Sequence, residues 1–343
     1  MPRRALVVVL AAAVVAGCGG QPAAARTTVK TVASGLRVPW GVAFLPDGSA
    51  LVGERPTGRI VRIPPGGGRP TTVMRVPGVV ADGEGGLLGL AVSPQYASDQ
   101  LVYAYLTTAN DNRIVRFRLG GSVRPILTGL QKASIHDGGR IAFGPDGKLY
   151  AGVGDAGNSS NAQNRSRRNG KILRINPDGS IPSNNPFSGS PVWSLGHRNV
   201  QGLVWDSRGR LWATEFGQDT WDEINLIRKG RNYGWPTVEG KGGTQGGRFT
   251  NPLVTWHTGE ASPSGAAILG GSLYVGALAG ERLWKIPLHG ASTGKPTALL
   301  KGRYGRLRTV VAAPGGGLWV TTSNRDGRGS PHSGDDKVLL VKP

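Results

Sequence analysis

A hairpin of two short strands recurs six times along the chain, and this repeat constrains the fold more than any other feature. Each copy joins an apolar strand to a second strand rich in Leu, Val, Tyr and Trp through a tight turn, as in Pro46-Asp47-Gly48, where Pro fixes the first corner and Gly accepts a positive φ. The spacing, roughly 45 to 60 residues, matches a four-stranded propeller blade. A β-helix or a sandwich is the competing architecture, but both expect a different spacing. The sequence therefore predicts an all-β fold, a six-bladed β-propeller of four-stranded antiparallel blades. Four regular copies cover 41–52, 140–150, 202–212 and 309–319, and two looser copies cover 88–103 and 265–275.

Composition supports many short strands. The chain has 56 Gly and 24 Pro among 343 residues, yet the segments between them are rich in Val, Leu, Ile, Trp and Tyr. This pattern is typical of strands joined by tight turns rather than of disorder, and no long segment has a sustained helical period. Propellers of this length are often single domains, so we expect one domain.

The N-terminus is typical of a bacterial secretion signal. Arg3 and Arg4 precede an apolar stretch over 5–16 that is too short to span a membrane. Val15-Ala16-Gly17-Cys18 resembles a lipobox, in which the cysteine thiol is lipidated and cleavage makes that cysteine the new N-terminus; an ordinary signal peptide with an incidental cysteine is the alternative. Cys18 is the only cysteine, so the chain has no intramolecular disulfide.

These features predict the domain organisation and the location. Residues 1–17 are a lipoprotein signal peptide, 18–35 a lipidated N-terminus and tether, and 36–343 the propeller. The protein is then exported and anchored by lipid to the outer face of the cell membrane.

The formal net charge of +20 invites a nucleic-acid interpretation, which export argues against. A positive field favours anionic lipid, wall polymer or an anionic cofactor. A coding bias toward Arg is the simpler alternative.

Polar residues follow the second strand of several hairpins. Segments 152–155, 214–217 and 322–325 should meet at one mouth, because equivalent loops of a radial array gather at one rim. His136 and His197 each lie in a Gly-flanked segment that enters a hairpin, and an imidazole at such a mouth suits a general base. The acidic segment 215–225 suits calcium, although it lacks the acid spacing of an EF-hand loop.

Taken together, these segments resemble the soluble PQQ-dependent sugar dehydrogenases, the glucose/sorbosone and aldose dehydrogenase family of six-bladed propellers. The likeness runs from about Leu36 to the C-terminus. It is carried by residues 82–89, 136–140, 196–202, 222–227, 232–236 and 306–308.

The resemblance implies roles for particular residues. His136 matches the family's base, which removes the hydroxyl proton while hydride passes from carbon to the quinone, and Asp155 matches the carboxylate that orients this histidine. Arg198 matches the residue that hydrogen-bonds the reactive quinone oxygen. Glu84 stands near the sugar, and Asn199 beside the cofactor.

Two calcium ions are also implied. The first lies against PQQ on the backbone carbonyls of Gly217 and Gln218. The second, structural ion would use Glu223 and the carbonyl of Tyr233, with Glu239 or Glu260 as further candidates.

PQQ is a tricarboxylate, and Arg306 and Arg308 match the family's cations for it. The chain departs from the family at Ala279, where a lysine is usual, which leaves one carboxylate without its partner unless Arg282 or Lys285 reaches the site. Two smaller departures are Ile135, where some members have an acid, and Phe216, which replaces a polar residue.

The resulting hypothesis is a PQQ- and calcium-dependent oxidoreductase that converts an aldose to its lactone and passes electrons to an external acceptor, with no nucleic-acid partner. A calcium-dependent lactonase is one alternative, although it would need a carboxylate-rich centre and the chain has only 21 acidic residues. A non-catalytic surface propeller that binds glycan or wall polymer is the other.

Overall fold

The computed structural model describes residues 27–343, together with Met1, Pro2 and Ala5. The rest of the predicted signal peptide, and Cys18 with its tether up to residue 26, lie outside the described residues. Within the described part of the chain, no helix is long and apolar enough to cross a membrane.

Almost all regular structure is β-strand, with two single-turn helices, α1 (Tyr96–Asp99) and α2 (Ser160–Gln163). In chain order the strands are β1 (Thr28–Ala33), β2 (Pro39–Phe44), β3 (Ala50–Glu54), β4 (Arg59–Ile63), β5 (Thr71–Arg75), β6 (Leu87–Val92), β7 (Val102–Thr107), β8 (Asn112–Phe117), β9 (Arg124–Leu130), β10 (Ile141–Phe143), β11 (Leu149–Val153), β12 (Lys171–Ile175), β13 (Val192–Leu195), β14 (Val200–Trp205), β15 (Leu211–Glu215), β16 (Trp221–Ile227), β17 (Val254–His257), β18 (Pro263–Leu269), β19 (Ser272–Ala277), β20 (Arg282–His289), β21 (Ser292–Thr293), β22 (Thr297–Leu299), β23 (Leu307–Ala312), β24 (Leu318–Thr322) and β25 (Val338–Lys342).

These strands form six antiparallel sheets arranged as a six-bladed propeller, which confirms the predicted fold. The inner strands β2, β6, β10, β14, β18 and β23 contact one another in a closed ring around a central channel. Each of the six hairpins found in the sequence supplies the two innermost strands of one blade. In the fifth blade the long strand β20 pairs with both β21 and β22.

The ring is closed by the N-terminal strand. Blade six has the order β23, β24, β25, β1, so β1 pairs with β25 in the register Thr28 to Lys342. The predicted domain boundary at residue 36 was therefore wrong, because residues 28–33 belong to the propeller. The strand was missed because its partner lies at the other end of the chain and only Val32 and Ala33 are buried in it.

Aromatic side chains join neighbouring blades. In the second, third and sixth blades, the second strand carries an aromatic residue that meets, edge to face, an aromatic residue at the end of the next inner strand. Tyr103 meets Phe143 at 5.0 Å between ring centroids, Tyr150 meets Trp205 at 5.0 Å, and Trp319 meets Phe44 at 4.9 Å across the closure. The aromatic residues in the second strands of these three hairpins thus form contacts between blades.

The strand directions define two ends of the channel. Inner strands begin, and second strands end, at one opening, which we call the mouth. Since β1 is the fourth strand of its blade, it runs toward the mouth and its first residue, Thr28, lies at the opposite face together with Lys342.

Candidate active site

The mouth holds a cavity of about 250 Å³ that has cationic and acidic walls. Residues from all parts of the chain meet there because the loops before the inner strands and after the second strands share this rim. The cavity is lined by side chains that include Trp40, Arg55, Glu84, Gln201, Phe216, Arg308, Asp326 and Arg328.

His136 and Asp155 form a buried pair beside this cavity. The loop before β10 carries His136 and the loop after β11 carries Asp155, and strand pairing brings them together. Nδ1 of His136 lies 2.7 Å from Oδ1 of Asp155, whose other oxygen accepts the Trp235 indole N–H at 2.8 Å. The carboxylate favours a proton on Nδ1, which leaves the lone pair of Nε2 without a hydrogen-bond partner among residues 27–343. The pair therefore has the geometry of an oriented general base.

The backbone of His136 is held in an unusual conformation. Its φ is +60°, in the left-handed region that non-glycine residues rarely adopt. The backbone N–H donates to Oε2 of Glu84 at 2.9 Å, which secures this conformation. On the other side, a Cβ on Gly154 would lie 1.8 Å from the His136 carbonyl oxygen, so only glycine permits the contact. This strain at a predicted functional residue fits a site whose geometry is fixed before substrate arrives.

Glu84 and its loop are fixed by two arginines. Oε1 of Glu84 accepts a hydrogen bond from Nη1 of Arg328 at 2.9 Å. Nη1 of Arg55 donates to the carbonyls of Gly83 at 2.6 Å and Gly85 at 3.1 Å. The carboxylate of Glu84 is thus presented to the cavity between His136 and Arg328.

Arg198 lies against the segment after β15. Its Nε and Nη2 donate to Oε1 of Gln218 at 2.9 and 2.7 Å, and its backbone N–H donates to Oε1 of Glu215. The guanidinium also lies over the Trp235 ring, 5.5 Å from its centroid. Burial lowers the pKa of Arg198, and neighbouring carboxylates, first Asp155, oppose the shift. The guanidinium remains a fixed cation next to the histidine pair.

His197, in the second histidine segment, has a structural role. It is fully buried, its Nδ1 lies 2.8 Å from Glu215 Oε2, and its Nε2 lies 2.8 Å from Ser194 Oγ. The ring stacks on Tyr233 at 4.8 Å. With both nitrogens engaged, His197 positions Glu215 and therefore the backbone of Arg198.

Arg306 and Arg308 converge on one carboxylate, as Asp326 Oδ2 accepts from Arg306 Nε at 3.0 Å and from Arg308 Nη2 at 3.2 Å. Arg308 lines the cavity, and burial lowers its pKa to about 10, so it stays charged at neutral pH. Asp326 holds both guanidinium groups in place at the mouth.

Neither Arg282 nor Lys285 takes the place of the lysine that the family usually has at position 279. Arg282 Nε donates to the Gly280 carbonyl, Lys285 lies over the Tyr274 ring, and neither lines the mouth cavity. That cavity instead contains Arg55 and Arg328. The Nε of Arg55 is buried and has no hydrogen-bond partner in the described part of the chain. Arginines from the first and sixth blades thus line the cavity, whereas Arg282 and Lys285 do not.

Asn199 is fully buried in the same region. Its Oδ1 accepts the Gly138 N–H at 3.1 Å, while its Nδ2 has no partner among the described residues. Arg55 Nε and Asn199 Nδ2 are both donors. Unsatisfied buried donors are rare, so this pair fits a ligand rich in acceptor oxygens.

The predicted calcium position at Gly217 and Gln218 has available carbonyls. Glu239 Oε1 accepts the N–H groups of residues 218 to 221 at 2.8 to 3.2 Å, so these amides point toward the carboxylate. The carbonyl oxygens of Gly217 and Gln218 accept no hydrogen bond from residues 27–343. A Cβ on Gly217 would lie 1.9 Å from the Trp221 carbonyl oxygen, which explains the glycine. Free carbonyls in a curved loop suit calcium.

At the second predicted calcium position, the carboxylate of Glu223 already accepts two hydrogen bonds. Glu223 accepts from the Gly240 N–H at 2.7 Å and from Asn225 Nδ2 at 2.9 Å. Burial, and then the neighbouring carboxylate of Glu215, raises the pKa of Glu223 well above its usual range. Tyr233 packs beside it on His197, whereas Glu239 is occupied by the loop amides and Glu260 is exposed. Among the described residues no three His, Cys, Asp or Glu side chains assemble as a metal cluster.

Sequence reasoning missed several residues of this mouth. Arg55 and Asp326 follow second strands, the same position that drew attention to Asp155, so the repeat itself could have indicated them. Trp40 and Gln201 lie at equivalent positions near the starts of inner strands. They were overlooked because an aromatic or amide side chain there carries no chemical signature by itself.

The fold and this mouth define a propeller with an enzyme-like site, a histidine–carboxylate pair beside a cavity lined by arginines. The glucose/sorbosone dehydrogenase family matches residues 36–339, and the chain belongs to this family. It is accordingly an enzyme of the sugar dehydrogenase class, as the sequence predicted.

Known relatives support this assignment. The solved structure of the PQQ-bound aldose sugar dehydrogenase from Streptomyces coelicolor is 53% identical, with a TM-score of 0.88, and the match covers 93% of this chain and 99% of that one. The aldose sugar dehydrogenase of Escherichia coli is 29% identical over 89% of this chain and 92% of its own length. The quinoprotein glucose dehydrogenase B of Acinetobacter calcoaceticus is 36% identical over 65% of this chain and 55% of its own length.

Proposed function

We propose that the protein oxidises aldose sugars to lactones with PQQ and calcium, His136 acting as the base. The observation that carries the proposal is the His136–Asp155 pair, with Nε2 unengaged, beside a cavity lined by arginines. The similarity to a PQQ-bound aldose sugar dehydrogenase supports the choice of cofactor.

The residues present fit such a cofactor. Arg55, Arg306, Arg308 and Arg328 supply guanidinium groups for its carboxylates, and bidentate arginine–carboxylate contacts are strong and directional. The unpartnered Nε of Arg55 and Nδ2 of Asn199 supply further donors. When bound, PQQ supplies the acceptor for the hydride from the sugar, and calcium polarises its carbonyl as a Lewis acid.

His136 Nε2 takes the proton of the sugar's anomeric hydroxyl as the carbon gives up its hydride, so the alcohol becomes a lactone carbonyl and two electrons leave. Asp155 stabilises the imidazolium that forms and keeps the ring oriented. Arg198 holds a fixed positive charge next to this pair, where negative charge developing on an acceptor oxygen would be stabilised.

The test combines cofactor binding with turnover. Protein stripped of cofactor and mixed with PQQ and calcium should bind PQQ, followed by tryptophan fluorescence, and should then reduce a dye when given aldoses. His136→Ala should lower kcat about 10²- to 10⁴-fold and leave PQQ binding nearly unchanged, whereas the exposed His289→Ala should match the wild type.

Two results would contradict the proposal. Turnover that survives in His136→Ala would remove the histidine from its role. Failure of the wild-type protein to bind PQQ would favour the alternative of a non-catalytic surface propeller.

We also propose that the enzyme is exported and held to the membrane by lipid on Cys18, and that an external acceptor receives its electrons. The signal-like sequence over 1–17 supports this location. Incorporation of labelled fatty acid into the full chain, lost in Cys18→Ser, tests it.

A further inference from the structure

Arg140 crosses the central channel just below the mouth. It precedes β10 in the third blade, yet its Nε donates to the Gln201 carbonyl of the fourth blade at 2.8 Å and its Nη2 to Thr309 Oγ1 of the sixth at 3.1 Å. Its guanidinium also lies over the Trp40 ring of the first blade, 4.2 Å from the centroid. The third and sixth blades face each other in a ring of six, so the side chain spans the channel.

This buried cation has no carboxylate partner. Arg140 is 8% exposed, and no Asp or Glu within residues 27–343 forms an ion pair with it. The neighbouring charge, Arg308, is also positive, and burial followed by Arg308 lowers the pKa of Arg140 to about 9. A guanidinium carries five N–H donors, of which acceptors within residues 27–343 engage two. Burying a charge without a partner is costly, so a counter-charge is expected.

Below Arg140 the channel contains a second cavity, of about 320 Å³, which we call the lower cavity. Arg140 lines it together with apolar side chains of the inner strands, among them Val42, Leu90 and Val310, and none of its lining residues is acidic. The inner strands pair on one edge alone, so backbone N–H and C=O groups of their other edges face the channel axis. The lower cavity thus offers N–H donors and a positive charge, the elements of an anion site.

We propose that the lower cavity binds a small inorganic anion, such as chloride, on the guanidinium of Arg140. The anion balances the charge at the level where Arg140 contacts three other blades, and it lies outside the cavity in which the reaction takes place. The ring of blades is therefore more stable in its presence.

Bromide is the probe, since it replaces chloride and scatters anomalously. Crystals of the full chain grown or soaked in bromide should show an anomalous peak beside the Arg140 guanidinium. In solution at constant ionic strength, with glutamate as the balancing anion, the midpoint of thermal unfolding should rise by about 2 °C for each tenfold increase in bromide above its dissociation constant.

Arg140→Gln should remove this bromide dependence, and Arg174→Gln should retain it. Arg174 is the matched control because it is also buried, at 2% exposed, but pairs with Asp146 at 2.9 Å. If Arg140→Gln fails to fold, the wild-type crystals still decide the matter. Anomalous peaks confined to the mouth arginines, or none at Arg140, would overturn the proposal, as would an undiminished bromide dependence in Arg140→Gln.

Discussion

At the scale of single residues, Glu84 joins parts of the mouth that lie far apart in sequence. One oxygen accepts the backbone N–H of His136, and the other accepts a hydrogen bond from Arg328, whose loop connects β24 and β25 of the sixth blade. A carboxylate in this position can accept both bonds at once, whereas a neutral side chain would weaken the contact to the arginine. The histidine is thus positioned from two sides, through its ring by Asp155 and through its backbone by Glu84.

The neighbour of the proposed base, Asp137, provides a pH test. It is 2% exposed, and its Oδ1 accepts from Asn112 Nδ2 at 2.7 Å while its Oδ2 is buried without a partner in the described chain. Burial raises the pKa of Asp137 from 3.8 to about 6. The folded state therefore binds the proton more tightly, so this group's contribution to stability is full below about pH 4 and is lost as pH rises to about 6.

We therefore expect Asp137→Asn to raise the free energy of unfolding at pH 7 by on the order of 2 kcal/mol and to bring little gain at pH 4. Urea unfolding at both pH values measures it, with the exposed Asp219→Asn as the control. Equal effects of Asp137→Asn at the two pH values would contradict this explanation.

The sequence indicated individual residues of the site better than it indicated the contacts between them. Resemblance indicated His136, Asp155 and Arg198, and the structure brings all three to one rim. The repeat could have indicated Arg55, which follows a second strand. Its contacts with the carbonyls of Gly83 and Gly85 could not be predicted, because they depend on the packing of the first blade against the loop that carries Glu84. Which cation faces a cavity depends on tertiary geometry that a linear motif does not contain.

At the scale of elements, a buried lysine stabilises the segment between β11 and β12. Lys171 is fully buried, and its Nζ donates to the carbonyls of Asn161, Ala162 and Asn169 at 2.6, 3.0 and 2.9 Å. Asp155 is the second residue of this segment. The ammonium group therefore supports the carboxylate that orients His136.

Lys171→Met should lower the free energy of unfolding by about 3 kcal/mol, because three buried carbonyls lose their donor while the apolar stem is kept. The thermal midpoint should fall by about 4 °C, measured by circular dichroism. The exposed Lys301→Met provides the comparison and should leave the midpoint unchanged. An unaltered midpoint in Lys171→Met would show that the segment holds its shape without the ammonium group.

The six hairpins could be predicted because each is a local contact, with its turn residues and apolar strands adjacent in sequence. The outer strands were harder. Strands such as β5, with an exposed or half-buried pattern, and β1, with a partner from the other end of the chain, lack a periodic apolar signal. Local sequence patterns thus predicted the two inner strands of each blade, whereas the outer strands depend on pairing between residues that lie farther apart in the sequence.

At the scale of the whole molecule, the propeller depends on β1 to close its sixth blade. Without this strand β25 would present a free edge, and Val32 and Ala33 would leave the core between the first and sixth blades. The ring is thus held by a contact between the two ends of the chain.

A variant that begins at Gly35 should lose about 3 to 5 kcal/mol relative to one that begins at Thr27, from the missing strand pairing and apolar burial. Urea unfolding measures the difference, and a peptide of residues 27–34 added to the shortened protein should restore part of it by strand addition. Equal stability of the two proteins would mean that β1 does not close the ring.

The direction of β1 also sets how the molecule would stand on a surface. Thr28 and Lys342 both lie at the face opposite the mouth, so attachment through either end of the propeller, to a bilayer, a bead or an electrode, turns the mouth outward. Sugars in solution then reach it freely. An electron carrier fixed in the supporting surface would meet the wrong end of the channel, so we expect a carrier that diffuses to collect the electrons.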